Sequence, residues 1–380
     1  MFRNYRLRNY DIKLIIMVLA LSVIGIIAIG SAKESLQSKQ IFGVIAGFVL
    51  MVVISFFDYN WVLKFYWLMY VFNIGLLLLV TFSGDEGGGA ERWLEIGSFR
   101  FQPSELAKIL LILFFAQFIM KYRKNLNTFK IIMACLVLVG IPWVLIFDQP
   151  DLSTSLVLLV VFCLILYVGG LSYKIIFTVM AVAIPVAVIF LNLIMQPDQD
   201  ILEDYQRNRI LAFINPEEYV MEEAYQQNNS VIAIGSGQLT GKGYKNNEIS
   251  SVKNGNYILE PQTDFIFAVI GEEFGFQGAC LVIGLLILIS VECLTIAARA
   301  KDVSGRIIAA GMGTLVMVQS FFNIGVTTFI LPNTGLPLPF VSYGLTSLIS
   351  LYIGMGFVLN VRLQCKPSQD YYENEKRIIT

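Results

Sequence analysis

Long apolar runs separated by short polar stretches set the plan of this chain. Ten runs, at residues 12–32, 40–57, 61–82, 104–121, 129–147, 152–170, 173–195, 265–298, 306–329 and 341–362, are each long enough for a helix to cross a hydrocarbon core about 30 Å thick. The pattern predicts an all-α polytopic integral membrane protein with ten transmembrane helices, residues 1–380 forming one transmembrane domain. The first run follows Arg3, Arg6 and Arg8 and ends near the small residue Ser31, as a secretory leader does. It is longer than a leader's apolar core and opens a polytopic chain, so it reads as a retained anchor.

The placement of Lys and Arg orients the bundle. Cations gather at the N-terminus, in "KYRKNLNTFK" after the fourth run, in "RAKDVSGR" after the eighth and in "VRLQCK" after the tenth, whereas "FDQPDLS" and "LPNTGLPLPF" carry none. Both termini are therefore expected in the cytoplasm, with a tail at 363–380. A large extracytoplasmic loop, 196–263, is expected between the seventh and eighth helices. The outer side also receives segment 83–105, read as a Gly-rich turn followed by an amphipathic stretch. It receives "LPNTGLPLPFVSYG" (331–344) as well, whose three prolines within eight residues exclude regular helix. Irregular backbone at that depth must be buried in protein or line a wet cavity.

Composition sharpens this reading. Hydrophobic residues make up 56% of the chain and charged residues 14%, against roughly a quarter charged in soluble domains; the mean hydropathy is +0.70. The five cysteines show no ligand spacing and read as small apolar residues. Histidine is absent, so acid–base chemistry falls to carboxylates, Lys, Tyr or Cys. A net charge of −1 excludes a basic nucleic-acid footprint.

The dense polar motifs all fall on the outer side. In "EPQTDFIFAVIGEEFGF", Thr263 and Asp264 precede a helix and suit its cap, a role compatible with catalysis. Glu272 and Glu273 lie inside the apolar run, where an ionisable group signals either function or a buried ion pair. In "RWLEIGSFRFQPSELAKI" (92–109), Pro103 and Glu105 mark a helix start, and Glu105 and Lys108 share a face. They form either a simple helix-start pair or, because Lys108 falls inside an apolar span, a partner for a carboxylate or phosphate. Trp93 is an interfacial aromatic or a sugar-stacking platform. Asp151 in "DQPDLSTS" is a candidate helix cap in a turn without a neighbouring cation. Arg207 and Arg209 in "DYQRNRILAFINPEEY" head an interfacial helix and suit forked contacts with phosphate, or else form a solvated face. "GSGQLTGKGY" (235–244), with Lys242, looks like a phosphate loop, but no strand precedes it, and nucleotide binding is rejected.

Taken in order, "RWLEIGSFRFQPSELAK", "QPDLSTS", "YQRNRILAFINPEE", "AIGSGQLTGKG", "PQTDFIFAVIGEEFGF" and "LPLPFVSYGLTSL" resemble, nearly end to end, the SEDS (RodA/FtsW/SpoVE) family of peptidoglycan glycosyltransferases. The resemblance implies ten helices and polymerisation of lipid II at the outer face of the bacterial cytoplasmic membrane, in elongation, division or sporulation. It implies a growing glycan on undecaprenyl pyrophosphate, surrounding membrane lipids and a class B penicillin-binding protein as partner. The family's essential aspartate matches Asp264, its functional Glu and Lys match Glu105 and Lys108, and its Arg–Trp pair matches Arg92 and Trp93. Gln102, Asp151, Arg207, Arg209, Lys242, Gln262, Thr263, Glu272, Ser342 and Tyr343 complete the candidate substrate-binding set. Gln262 stands where many members carry His, Leu259 where many carry Pro, Ser153 replaces a usual Gly, and Leu345-Thr346 replaces Gly-Ser; these departures leave the branch open.

The implied reaction is attack of a sugar hydroxyl on an anomeric carbon as diphosphate leaves, with inversion. Asp264 is the expected base, with Lys108, Arg207 and Arg209, and more weakly Lys242, receiving the leaving charge. Glu105 would orient Lys108, and Ser342 and Tyr343 would line the cavity. No motif demands a cofactor; a divalent cation such as magnesium or manganese is the one the chemistry leaves room for. Two other readings stay in play. A lipid II flippase needs polar groups on both faces, and a non-catalytic scaffold for a transpeptidase needs no intramembrane Lys and Glu.

Overall fold

A computed structural model describes residues 5, 7–83, 85–87, 90–96, 99–149, 151–194, 204–215, 223–245, 251, 258 and 260–365. Parts of the expected loop 196–263, the tail from 366 onward, Arg3, Arg6 and Leu259 lie outside these residues. The helices are α1 (Ile12–Ala32), α2 (Glu34–Ser55), the short α3 (Tyr59–Val62), α4 (Tyr66–Ser83), α5 (Pro103–Tyr122), α6 (Phe129–Asp148), α7 (Leu152–Gly169), α8 (Tyr173–Ile194), α9 (Asp204–Ile214), α10 (Glu223–Ser236), α11 (Ile266–Ala298), α12 (Val303–Thr327) and α13 (Leu345–Leu363). Among the described residues, nine helical segments are long and apolar enough to cross a membrane. The 22-residue α8 occupies the position of the seventh expected span.

Local chemistry explains where these helices start. Asp11, Asp151 and Asp302 each accept a hydrogen bond from a backbone N–H three residues on, at 3.1, 3.1 and 2.8 Å, satisfying donors a helix start leaves open. Pro103 opens α5, where its missing N–H costs nothing. Helices α5, α12 and α13 are buried through most of their length, whereas α2 and α6 expose Phe42, Ile45, Leu136 and Val144, as suits helices facing lipid. Helix α10 seats on the end of α12: Gln227 Nε2 donates to Val326 O and Leu331 O at 2.9 and 2.8 Å, and the Ser230 hydroxyl to Thr327 O at 2.7 Å.

Three expectations are corrected. The chain is not wholly helical: segment 83–105 contains β1 (Asp85–Gly87), β2 (Ala90–Ile96) and β3 (Phe99–Phe101) in one antiparallel sheet of order β1-β2-β3. The amphipathic pattern there has period 2, not 3.6, and its register sets Glu95 against Arg100, joined at 2.9 Å. Helix α2 starts at Glu34 rather than at 40, so it includes the polar turn before the apolar run, and its Gln40 is buried and donates to Ser342 O at 3.4 Å. The run 265–298 is also not one continuous helix, since Gly275 takes φ 62, ψ −161 and breaks α11. The leading piece, 266–274, holds Ile266, Phe267, Ala268, Val269 and Ile270 at no more than 2% exposure, while the trailing piece exposes Leu281, Ile287, Leu288 and Leu294. The leading piece is therefore enclosed in protein, and only the trailing piece has a lipid-facing side.

Candidate functional site

The turn 260–265 at the head of α11 meets the irregular connection 328–344 between α12 and α13. Three successive carbonyls of this turn are held, two by that connection and one by the end of α12. Gln262 O accepts from Tyr343 N at 2.9 Å, Thr263 O from the Ser342 hydroxyl at 2.6 Å, and Asp264 O from Asn323 Nδ2 at 2.7 Å. The Ser342 hydroxyl in turn accepts from Leu338 N at 2.7 Å. The non-helical backbone around the prolines is thus satisfied inside the protein, as a membrane fold requires.

Asp264 does not cap α11. The cap position is Phe265, whose φ of −112° carries no side-chain cap bond. Phe265 O accepts from Ala268 N at 2.9 Å, so the helix begins one residue later than the local sequence suggests and the Asp264 carboxylate is not turned back on its own helix. It borders Gly335 instead, as does Arg209. A Cβ placed on Gly335, whose φ is +71°, would lie 3.4 Å from Asp264 Oδ2 and 4.0 Å from Arg209 Nη1, so the carboxylate and the guanidinium converge on one spot.

Electrostatics mark the same carboxyl. Desolvation pushes Asp264 up to about 6; Arg209 and Arg92 oppose the rise, and Glu260 and Asp151 add to it. These charges come from separate parts of the chain, and Arg92 and Asp151 are fixed by their own bonds. Arg92, on β2, donates through Nε to Gln149 O at 3.0 Å, and Gln149 is anchored on Leu77 O at 2.9 Å. Asp151 caps α7 through Oδ1, as its position suggests, while Oδ2 lies 3.3 Å from Gln102 Nε2 and 3.5 Å from Ser104 Oγ. The head of α5 and the head of α7 are joined there. A half-buried carboxylate with a pKa of about 6, near two arginines, can accept a proton beside a bound anion.

Other expected residues lie elsewhere or do other work. Lys108 and Glu105 form an ion pair of 2.7 Å with side chains 2% and 3% exposed, and Lys108 borders apolar side chains of α5, α6 and α7 such as Leu111, Val139 and Phe162. Glu105 thus fixes Lys108, but the charges bearing most on Asp264 are Arg209, Glu260, Arg92 and Asp151. Arg207 shares α9 with Arg209, about 200° around the helix, so the two guanidinium groups leave on different sides. Trp93 neighbours Arg92 on a strand and therefore faces the other way. Ser342 is expected to line the cavity; it is 4% exposed and its hydroxyl is taken up by Leu338 N and Thr263 O. Thr263 donates to Glu260 O at 3.0 Å.

Lys242 and Glu272 pair with each other at 3.0 Å, and Glu272 Oε2 accepts from Ser251 at 3.2 Å. Their loop, "GSGQLTGKG", completes the broken helix. Gln238 O and Leu239 O accept from Phe276 N and Gln277 N at 2.8 and 3.2 Å, and Lys242 N and Gly243 N donate to Glu272 O and Glu273 O at 2.9 and 3.0 Å. Four backbone groups beside the break at Gly275 thereby find partners. The Ser31 hydroxyl donates to Glu273, tying the same break to α1.

Among the described residues, no three acidic or cysteine side chains gather to hold a metal ion. Asp151 is already engaged with three donors. Sequence reasoning missed Asn323, Gln149, Glu260 and Gly335. Asn323, with Gln319 one of two amides in an apolar span, carried the one signal that could have been read.

Comparison with known proteins agrees with this architecture. The sequence profile FTSW_RODA_SPOVE, described as Cell cycle protein, matches residues 9–366. The chain is 36% identical over 370 residues to the peptidoglycan glycosyltransferase MrdB of Escherichia coli K12, covering 94% of this chain and 95% of that protein. It is 32% identical over 377 residues to the probable peptidoglycan glycosyltransferase FtsW of Geobacter metallireducens, covering 95% and 96%. Its fold matches the rod shape determining protein RodA of Thermus thermophilus at a TM-score of 0.68, with 26% identity over 94% of this chain and 98% of that one. It matches a chain of a peptidoglycan synthase complex that coordinates polymerization and crosslinking at a TM-score of 0.74, with 27% identity over 96% and 99%. On the strength of a profile that spans nearly the whole chain and relatives aligned end to end, this multi-pass protein belongs to the FtsW/RodA/SpoVE family.

Proposed function

We propose that this chain is a peptidoglycan glycosyltransferase that polymerises lipid II at the outer face of the bacterial cytoplasmic membrane. In this reading it has ten transmembrane helices, both termini in the cytoplasm, and the Asp264 end of the bundle outside. A hydroxyl of the acceptor sugar attacks the anomeric carbon of the donor, and Asp264 takes its proton as the new C–O bond forms. The bond from the anomeric carbon to diphosphate breaks on the opposite side, inverting the centre, and lipid-linked diphosphate leaves. Arg209, together with Arg92, stabilises the charge that grows on the diphosphate. The lipid tails of donor and acceptor confine both sugars to one plane and raise their effective concentration.

The observation that carries this reading is that Asp264 and Arg209 both border Gly335, with desolvation holding the carboxyl up to about 6. A base of that pKa is ionised at neutral pH yet basic enough to accept a proton. The likeness to a chain of a peptidoglycan synthase complex supports a class B penicillin-binding protein as the crosslinking partner. Purified protein supplied with lipid II provides the test. Asp264→Asn is expected to stay folded, retain lipid II and make no glycan. Normal polymerisation by that variant would overturn the base assignment, and transfer of lipid II across vesicles without polymerisation by the wild type would favour a flippase.

A further inference from the structure

Asn323 lies in α12 one turn before its end, 1% exposed. Its Nδ2 donates to Asp264 O and to Leu336 O, each at 2.7 Å, so both hydrogens of one nitrogen are engaged by backbone from two separate segments. A primary amide offers two N–H donors at a fixed angle. Asn323 therefore holds the Asp264 turn and the 335–336 backbone at a set separation. Leu336 follows Gly335, the residue on which Asp264 Oδ2 and the Arg209 guanidinium converge. One amide thus fixes Asp264 from behind and the wall its carboxylate faces from in front.

Its other atom sharpens the point. Asn323 Oδ1 is buried without a hydrogen-bond partner, which costs stability. A residue placed only to fill this space would be better apolar, since removing both partners of a buried polar contact is often neutral. The neighbouring Ser342 clamp does a different job, with one hydroxyl accepting from Leu338 N and donating to Thr263 O.

We infer that Asn323 is a positioning residue for the proposed general base: its amide bridges the Asp264 and Leu336 carbonyls and so sets the distance between the Asp264 carboxylate and the Gly335–Arg209 wall. This rests on the reading of Asp264 given above. It makes the donors of Asn323, rather than its volume, the quantity that matters.

Full-length protein in detergent micelles, assayed with lipid II over a pH series, tests this. Asn323→Ala is expected to lose about 100-fold in kcat, the scale of a misplacement near 1 Å, with KM changed by less than about threefold. Its acid limb should move to lower pH, because a loosened turn hydrates the carboxyl and relieves the desolvation that raised its pKa. Asn323→Leu keeps the bulk but offers no donor at any pH and should be no better than Asn323→Ala. Asn323→Ser keeps a donor at close to alanine's volume and should recover part of the loss. A Leu variant clearly more active than the Ala variant, or equal Ser and Ala variants with an unshifted acid limb, overturns the inference. If Asn323→Leu does not fold, the Ser and Ala pair decides by the same two readouts. Asp264→Asn run alongside separates the two readings: full activity there removes the base and the inference with it, whereas an inactive Asp264→Asn beside a fully active Asn323→Ala removes the inference alone.

Discussion

Glu105 and Lys108 form a 2.7 Å ion pair in which neither side chain is more than 3% exposed. Both charges sit in the first turns of α5, one step from the Gln102–Asp151 contact that joins α5 to α7. A buried pair of this kind does little for stability as a whole, yet losing one member strands the other charge at about 3–5 kcal/mol. Lys108→Met and Glu105→Met are each expected to lower the melting temperature sharply. The double replacement by Met should restore it to within about 1 kcal/mol of wild type, while glycan synthesis stays low if the pair also serves the reaction. A double variant that is both stable and active would make the pair purely architectural.

The pH dependence of the rate follows from Asp264. Its carboxyl, pushed up to about 6 by desolvation, must be ionised to accept a proton. Activity is expected to be full above about pH 7 and to fall tenfold per unit below about pH 6. Initial rates with lipid II from pH 4.5 to 8.5, corrected for unfolding, measure it. An acid limb near pH 4 would mean that the carboxyl is solvated when substrate is bound.

The same shift has a cost in stability, and its sign is opposite to that of an ordinary salt-bridged acid. In the unfolded chain an aspartate gives up its proton near pH 4; in the folded chain Asp264 holds it until about 6. Folding therefore takes up a proton between these values, and stability falls as pH rises through that window. Asp264→Asn escapes the penalty. It is expected to be more stable than wild type by about 1–2 kcal/mol above pH 6, after allowance for the partial exposure of the site, and no more stable near pH 3.5. Thermal melts of both proteins across that range give the comparison.

What could be read in advance follows the range of the forces involved. Among the described residues, nine of the expected spans appear as helices long and apolar enough to cross a membrane, because their apolar runs are local and long. The Asp151 cap is local too. The break in α11 was not legible, since Gly275 sits in an apolar run like any other glycine and its conformation is set by a loop more than thirty residues upstream. Arg209 could be picked out as a phosphate-seeking residue, but not that it, rather than Arg207, would meet Asp264. The tie from Asn323 to Asp264 spans 59 residues, a distance over which periodicity says nothing. The strands at 85–101 were hidden by their length: short period-2 stretches next to a membrane helix look merely amphipathic.

The Gly-rich loop gives the last prediction. Gly241 has φ +83°, and a Cβ there would fall 2.1 Å from Glu273 O. Gly241→Ala combines an unfavourable backbone region with a clash against backbone that has little room to move. The clamp on the Gly275 break should loosen, and the melting temperature should drop by the equivalent of about 2–4 kcal/mol. Lys242→Met removes only the charge opposite Glu272, which is 3% exposed and keeps Ser251; a smaller loss of stability is expected. If the loop is architectural, both variants leave KM for lipid II unchanged at temperatures where they remain folded. A Lys242→Met protein of wild-type stability with a KM raised tenfold or more would instead put the lysine on the substrate, and the two outcomes are separated by one melt and one titration.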